Sequence, residues 1–374
     1  MLHLLIVIHV IALGFATKPP WVLHKYSHKS THLSDSSLRT VCSTNLTLLN
    51  DYLDSILIPR RVGTAGHARV RQYIVDQLKL LNFTVDIIEF KSSTPRGQKT
   101  FYNVIARLDT TSKRYLTLAC HYDSKDCQSR RGLCEPHNAG PFKFMAATDS
   151  AYPCAVLLDV ASSLKPHADS RGISDLSLQL IFLDGEEAFE SWSEHDSLYG
   201  ARWLAEHWHS ELLNDEPDAN RLDQIDAFVL LDLLGSAETQ VYNYSPVNNA
   251  DLYKELPKLE QQLRHLDCLV KDKPTGEYRR IFYDDSVYFG QEGIQDDHIP
   301  FYRKNVPIIH AISYPFPAVW HREGDNRDVL DNATMINIAS VFKAFTAQYL
   351  HLDIPQRIIV DGVSDDNGDS KQEL

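Results

Sequence analysis

LSLQLIFLDGEE, residues 176–187, stays apolar or neutral from Leu176 to Leu183 and then turns acidic at Asp184, Glu186 and Glu187. A largely apolar run of this length without a charge is the mark of a strand buried on both faces, and its sudden acidic end is where such a strand opens into a loop. RYLTLACHY (114–122), IDAFVLLDLLG (225–235) and VPIIHAIS (306–313) have the same character, and helical patterns lie at 151–165, 198–209, 249–266 and 333–350. Buried strands alternating with helices predict an α/β fold: a single-domain three-layer sandwich with a mostly parallel central mixed sheet and helices on both faces. Ligands in such folds bind at the carboxyl ends of the strands. Those are the places where this chain becomes polar: His121-Tyr122-Asp123, Asp184 to Glu187, Asp232 and, in a later segment, Trp320-His321.

Working outward, 46–57 reads as a short helix and 63–81 as a Gly-rich turn followed by an amphipathic helix. NFTVDIIEF (82–90) and FYNVIARL (101–108) read as strands separated by a turn, KSSTPRGQK. No repeat or linker interrupts 46–353, which is taken as one domain after a polar lead (17–45) and before an acidic tail (354–374) expected to be disordered. With 43% apolar residues in 374, the chain can build one large core.

Residues 1–16 carry an apolar run ending in small residues at Gly14 and Ala16, which predicts a signal peptide cleaved after Ala16. The run is short for a spanning helix and lacks a strongly basic flank, so a signal anchor is the weaker reading and no membrane partner is expected. Six cysteines, none in a C-x-x-C pair, then read as disulfides rather than metal ligands, with their connectivity open. Sequons at Asn45, Asn82, Asn243 and Asn332 fit a secreted glycoprotein. The closing KQEL is a distant likeness of an ER-retrieval tetrapeptide. A net charge of −13 argues against a nucleic-acid partner.

Glu186 and Glu187 stand where a buried strand opens into a loop. In an extended segment neighbours point in opposite directions, so one carboxylate can hold a metal while the other faces substrate as a base; a solvated acidic loop tip explains the pair equally well. Asp149, just before the helix near Ala151, has a sufficient explanation as an N-cap. His321, in a loop rich in Pro and aromatics, reads alone as an exposed histidine. Together Asp149, Glu187 and His321 offer the nitrogen and oxygen ligand set of a catalytic zinc, although their separation along the chain proves nothing.

The motifs CHYDS (120–124), ATDSAYPC (147–154), LIFLDGEEAF (180–189), SLYG (197–200), LLDLLG (230–235), IQDDHIPF (294–301) and PFPAVWH (315–321) closely resemble those of animal glutaminyl-peptide cyclotransferases, in order, from about 45 to about 351. That family shares its fold with two-zinc aminopeptidases. IQDDHIPF, PFPAVWH and Trp192 are the features that resemble the cyclases. The resemblance implies one zinc per chain held by Asp149, Glu187 and His321, with Glu186 as general acid-base and Asp232 hydrogen-bonding the substrate's side-chain amide. It also implies a pocket of Trp192, Gln295, Phe316 and Trp320, and an Asp296–His310 pair behind the metal.

A Cys120–Cys154 disulfide is likewise implied by the resemblance. Cys127 and Cys134, which flank QSRRGL, lie outside the family pattern and are expected to form a local bridge, while Cys42 and Cys268 stay unassigned. The expected activity is cyclisation of an N-terminal glutamine of peptides and proteins to pyroglutamate with release of ammonia, by a monomer. The alternatives are a secreted two-zinc aminopeptidase, in which His121 and Asp232 hold a second ion, and an inactive peptide-binding homologue. The second lacks its usual sign, since Asp149, Glu186, Glu187 and His321 are all present.

Overall fold

A computed structural model describes residues 18–127, 134, 142–171 and 174–355; the expected signal peptide and the acidic tail from 356, with KQEL, lie outside the described residues. The strands are β1 (Thr84–Thr94), β2 (Gly97–Arg107), β3 (Arg114–His121), β4 (Leu176–Leu183), β5 (Leu212–Leu213), β6 (Glu216–Asn220), β7 (Ile225–Asp232), β8 (Val241–Ser245), β9 (Phe282–Tyr288) and β10 (Ile308–Ile312). The helices are α1 (Pro20–Leu23), α2 (Asp35–Val41), α3 (Leu46–Ile56), α4 (Ala65–Leu80), α5 (Tyr152–Ser170), α6 (Tyr199–Ser210), α7 (Ala250–Tyr253), α8 (Glu255–His265), α9 (Ile299–Tyr302) and α10 (Asn332–Tyr349).

The main sheet has the order β1-β2-β4-β3-β7-β10. β1, β2 and β4 pair antiparallel, whereas β4, β3, β7 and β10 run parallel. Every residue of β3, β4 and β7 is buried, as their largely apolar character leads one to expect. Successive side chains alternate between faces. Leu116, Leu118, Leu180, Phe182 and Val229 pack under α3, α4, α5, α8 and α10, and Ala119, Ile181, Phe228 and Leu230 pack under Leu204 and Trp208 of α6 and Phe301 of α9. Truncating one of these leucines to alanine costs about 2–5 kcal/mol. The expected three-layer sandwich is the observed one.

Three local readings differ. KSSTPRGQK is not a loop: β1 and β2 run through it in register to a Thr94↔Gly97 pair, leaving only Pro95 and Arg96 as the turn. An edge hairpin with solvent on both faces needs no apolar pattern, so its strands look like turn residues. The polar lead contains α2, capped by Ser34 accepting from Ser37 N, with Leu38 and Val41 in the main core. The helix expected over 249–266 is two, α7 and α8, divided at Lys254.

At the amino ends of the central strands, Arg114 Nε and Nη2 donate to Asp226 Oδ1 and Oδ2 at 2.6 and 2.7 Å, and Tyr349 Oη donates to the same carboxylate at 2.8 Å. This buried fork fastens β3, β7 and α10 together. Of the four sequons, Asn45, Asn82 and Asn332 are exposed. Asn243 is instead buried on β8, with its amide donating to Ser286 Oγ at 3.2 Å. No helix among the described residues is long and apolar enough to cross a membrane.

Candidate active site

The parallel register brings His121, at the end of β3, level with Leu183, at the end of β4. Asp184 to Glu187 therefore begin beside His121, and β7 ends next door at Asp232. Gly185, at φ +71°, turns the chain with Phe101 so close that a Cβ would lie 2.4 Å from its ring. Beyond that turn Glu186 and Glu187 both line one cleft. What holds the turn is Asp123. Its Oδ1 accepts Gly185 N at 2.9 Å and Glu186 N at 3.1 Å, and its Oδ2 accepts Glu187 N at 3.4 Å. Asp184 fixes the same turn from below, accepting Tyr102 N at 2.7 Å and contacting His67 Nε2 at 2.8 Å.

Asp149 is not an N-cap. The first residue before α5 is Ala151, with no side-chain cap, and Asp149 sits in a non-helical kink at φ −118°, ψ 73°. Its backbone is held by the buried Arg60, whose Nη2 donates to Asp149 O at 3.2 Å and Ala146 O at 3.0 Å, and by Asp325 Oδ1, which accepts Thr148 N at 2.8 Å. The side chain is thereby free to face His321, which enters from its loop at φ +54° with its ring stacked on Trp320 at 4.0 Å. The Cys120–Cys154 disulfide (Cα–Cα 5.7 Å) ties the end of β3 to α5 beside this kink, and Cys127–Cys134 (Cα–Cα 5.5 Å) closes the local bridge.

Ligand atoms of Asp149, Glu187 and His321 converge within 4.8 Å of one another. Asp149 Oδ2 and Glu187 Oε1 are buried and meet no hydrogen-bond donor of acceptable geometry among the described residues. They face His321 Nε2, at 3.3 and 3.5 Å. Buried carboxylate oxygens without donors are costly, and two of them aimed at one imidazole nitrogen fit a zinc-type cation. The other Glu187 oxygen is taken by Lys125 Nζ at 2.7 Å. Burial pulls that ammonium down, but Glu187 and Glu186 raise it on balance. Burial alone would raise Asp149, yet the imidazoles of His121 and His321 hold its carboxyl well below the usual range.

A second group shares Asp149: His121 Nε2 lies 3.0 Å from Asp149 Oδ1 and 3.4 Å from Asp232 Oδ1, with Asp123 3.5 Å from its other nitrogen. Here the carboxylates already have company, since Ser150 Oγ donates to Asp232 Oδ1. Burial, then Asp296, pushes Asp232 up to about 6. Behind it His310 Nε2 and Asp296 Oδ2 are 2.7 Å apart, and the buried ring of His298 lies against His310. The expected Asp296–His310 pair is thus brought together in the fold.

The cleft above these groups holds about 280 Å³ and is lined by Asp149, Glu186, Glu187, Asp232 and His321 on its floor. Trp192, Gln295, Phe316 and Trp320 stand around it, joined by Leu233, Ile294 and Ile312. Trp192 and Trp320 are exposed at the rim, and Phe316 meets Trp320 edge-on at 4.9 Å. Burial, with the neighbouring carboxylates, holds Glu186 well above the ordinary carboxylate value. All of the residues expected at the site therefore surround one cleft or lie directly behind it. The supports Arg60, Asp123, Lys125, Asp184 and Asp325 carried no assigned role in the sequence reading, although Asp123, Lys125 and Asp184 lie inside or beside CHYDS and LIFLDGEE.

Sheet and site together define a class: the profile of Peptidase family M28 matches residues 103–346. Among curated relatives, a glutaminyl-peptide cyclotransferase of Drosophila melanogaster is 42% identical over 308 residues, covering 81% of this chain and 80% of that protein. One of Bos taurus is 40% identical over 371 residues, covering 94% and 97%. The crystal structure of Macrostomum lignano glutaminyl cyclase superposes with a TM-score of 0.74 at 33% identity, covering 90% of this chain and 97% of that one. A Zn-dependent exopeptidase of Parabacteroides distasonis (TM-score 0.64, 18% identity, 80% and 97% covered) shares the fold alone. The chain belongs to the glutaminyl-peptide cyclotransferases of Peptidase family M28.

Proposed function

We propose that this cleft closes the N-terminal glutamine of peptides and proteins into pyroglutamate and releases ammonia, with one zinc held by Asp149, Glu187 and His321. The observation that carries the reading is the pair of donorless carboxylate oxygens facing His321 on the floor of an aromatic cleft that Glu186 also lines. Zinc at that position supplies Lewis acidity toward the γ-carbonyl oxygen. The chain's own residues do the rest. Trp192, Phe316 and Trp320 fold the glutamine side chain so that its α-amine approaches its own γ-carbon, which replaces a costly encounter by a near-attack conformer. The α-amine, with pKa near ~8, needs only a carboxylate acceptor to expose its lone pair. Glu186 takes the proton as the ring C–N bond forms and returns it to the departing amide nitrogen, which leaves as ammonia. Asp232 accepts a hydrogen bond from that amide, and the Asp296–His310 pair keeps the wall behind it in place.

The two closed disulfides and three exposed sequons support a secreted enzyme. Incubation with a Gln-initiated peptide is expected to give a loss of ~17 Da that chelator abolishes. Appearance of free glutamine and a peptide shortened by one residue would instead establish a peptidase using both acidic clusters.

A further inference from the structure

We infer that Cys42 and Cys268 form a third disulfide, made by thiol–disulfide exchange with a small disulfide such as oxidised glutathione, which locks α2 to the turn after α8. The two residues meet although they lie far apart in the chain. Cys42 caps the carboxyl end of α2, its Sγ donating to Arg39 O at 3.4 Å. Cys268 follows the left-handed Asp267 (φ +51°) just beyond α8, with its N donating to Leu263 O at 2.9 Å.

Both are referenced to one face of α10. Ser340 Oγ donates to Cys42 O at 2.8 Å, while Asn337 Oδ1 accepts Val270 N at 2.7 Å and its Nδ2 donates to Val270 O at 2.9 Å. Residues three apart on a helix are neighbours, so the two loops are delivered side by side. Arg39 Nη1 adds a direct link to Leu266 O. The outcome is that the two thiols are neighbours, Cys42 within the main apolar cluster and Cys268 packed against it. The other four cysteines are already paired.

The exchange has a defined order. Cys268 is half-buried and Cys42 is buried, and burial followed by the Cys268 contact pushes the Cys42 thiol up to about 12. The Cys268 thiolate therefore attacks the glutathione disulfide first, releasing one glutathione thiolate. Cys42, losing its proton to solvent, then displaces the second glutathione from Cys268. Two thiols and one glutathione disulfide become one protein disulfide and two reduced glutathiones. The loop closed is long, reaching from the lead to the second half of the fold, and such a link restricts the unfolded chain most.

The test uses the full chain secreted from eukaryotic cells, denatured in the presence of an excess of alkylating agent, digested and mapped without reductant. A peptide pair joining Cys42 to Cys268 that separates on reduction is expected. A second sample, reduced selectively and then treated with oxidised glutathione, should regain the same pair. The Cys42→Ser/Cys268→Ser variant should melt several degrees lower, about 5 °C, with kcat unchanged. Free, alkylated Cys42 and Cys268 in both samples, or either residue bridged to Cys127 or Cys134, overturns the inference.

Discussion

At the amino ends of β3 and β7, Asp226 is gripped by both arms of Arg114 and by Tyr349. At the carboxyl ends of the same strands, about 25 Å away at eight residues per strand, Asp149 and Glu187 are as deeply buried yet keep oxygens that meet no donor of acceptable geometry among the described residues. The residue types are alike and the sheet is the same. What differs is satisfaction. A fully paired buried charge holds the fold together, whereas a buried carboxylate left short of donors marks where something from outside must complete it.

The strongest blow to this contrast would come from Glu186. Glu186→Gln is expected to lower kcat by about 10³-fold with zinc content unchanged, because the amide keeps the shape but accepts no proton. Loss of zinc, or kcat within a few-fold of the parent, would mean that Glu186 and Glu187 have exchanged roles. At the other end Asp226→Ala should cost about 3–5 kcal/mol in denaturant unfolding by stranding Arg114, yet leave kcat of the folded fraction intact. A drop in kcat without a loss of stability would erase the distinction between the two ends.

Metal analysis sharpens it further. His321→Ala should weaken zinc binding at least tenfold, since a three-ligand site loses a ligand. His121→Ala should leave the zinc per chain unchanged, because Ser150 Oγ already donates to Asp232 in that group. A fall from two ions to one in that variant points to the two-zinc peptidase. If the free α-amine is the nucleophile, kcat/KM should climb a few-fold from about pH 7 to 8 as the substrate amine loses its proton, and N-acetylation should abolish turnover.

The smallest effect belongs to His28, stacked on Tyr349 at 4.1 Å and pushed down to about 4 by burial. Its folded value is below the unfolded value of about 6.5, so the unfolded state protonates first as pH falls and stability is lost between those values. In His28→Phe the Tm should fall less than in the parent between about pH 7.5 and 5, by roughly 1–2 °C. An identical fall in both proteins would assign the acid sensitivity elsewhere.

Much of this was legible in the residues themselves. Strands buried on both faces announce themselves by largely apolar runs, and their polar ends mark the place of the cleft. The ligand set and the aromatic walls were named through the family likeness, since Asp149, Glu187 and His321 lie too far apart for spacing to join them. The edge hairpin through KSSTPRGQK escaped because it has no apolar alternation to find, and α2 because so short a helix shows little more than Leu38 and Val41 at helical spacing in a polar lead. Asp123, Arg60 and Asp325 escaped for another reason: they act on backbone groups of other segments, and such a contact leaves no pattern in the local sequence.

Asp123 has a wider consequence. Because one carboxylate on the β3 side holds three successive amides of the turn bearing Glu186 and Glu187, the two acids ride on the sheet as a single floor, while Trp192, Gln295, Phe316 and Trp320 belong to loops standing over it. A floor and walls built from separate parts can be altered separately. Selection acting on the loops alone is able to redirect which chain terminus is admitted, and even which bond is attacked, without moving the two acids of the floor.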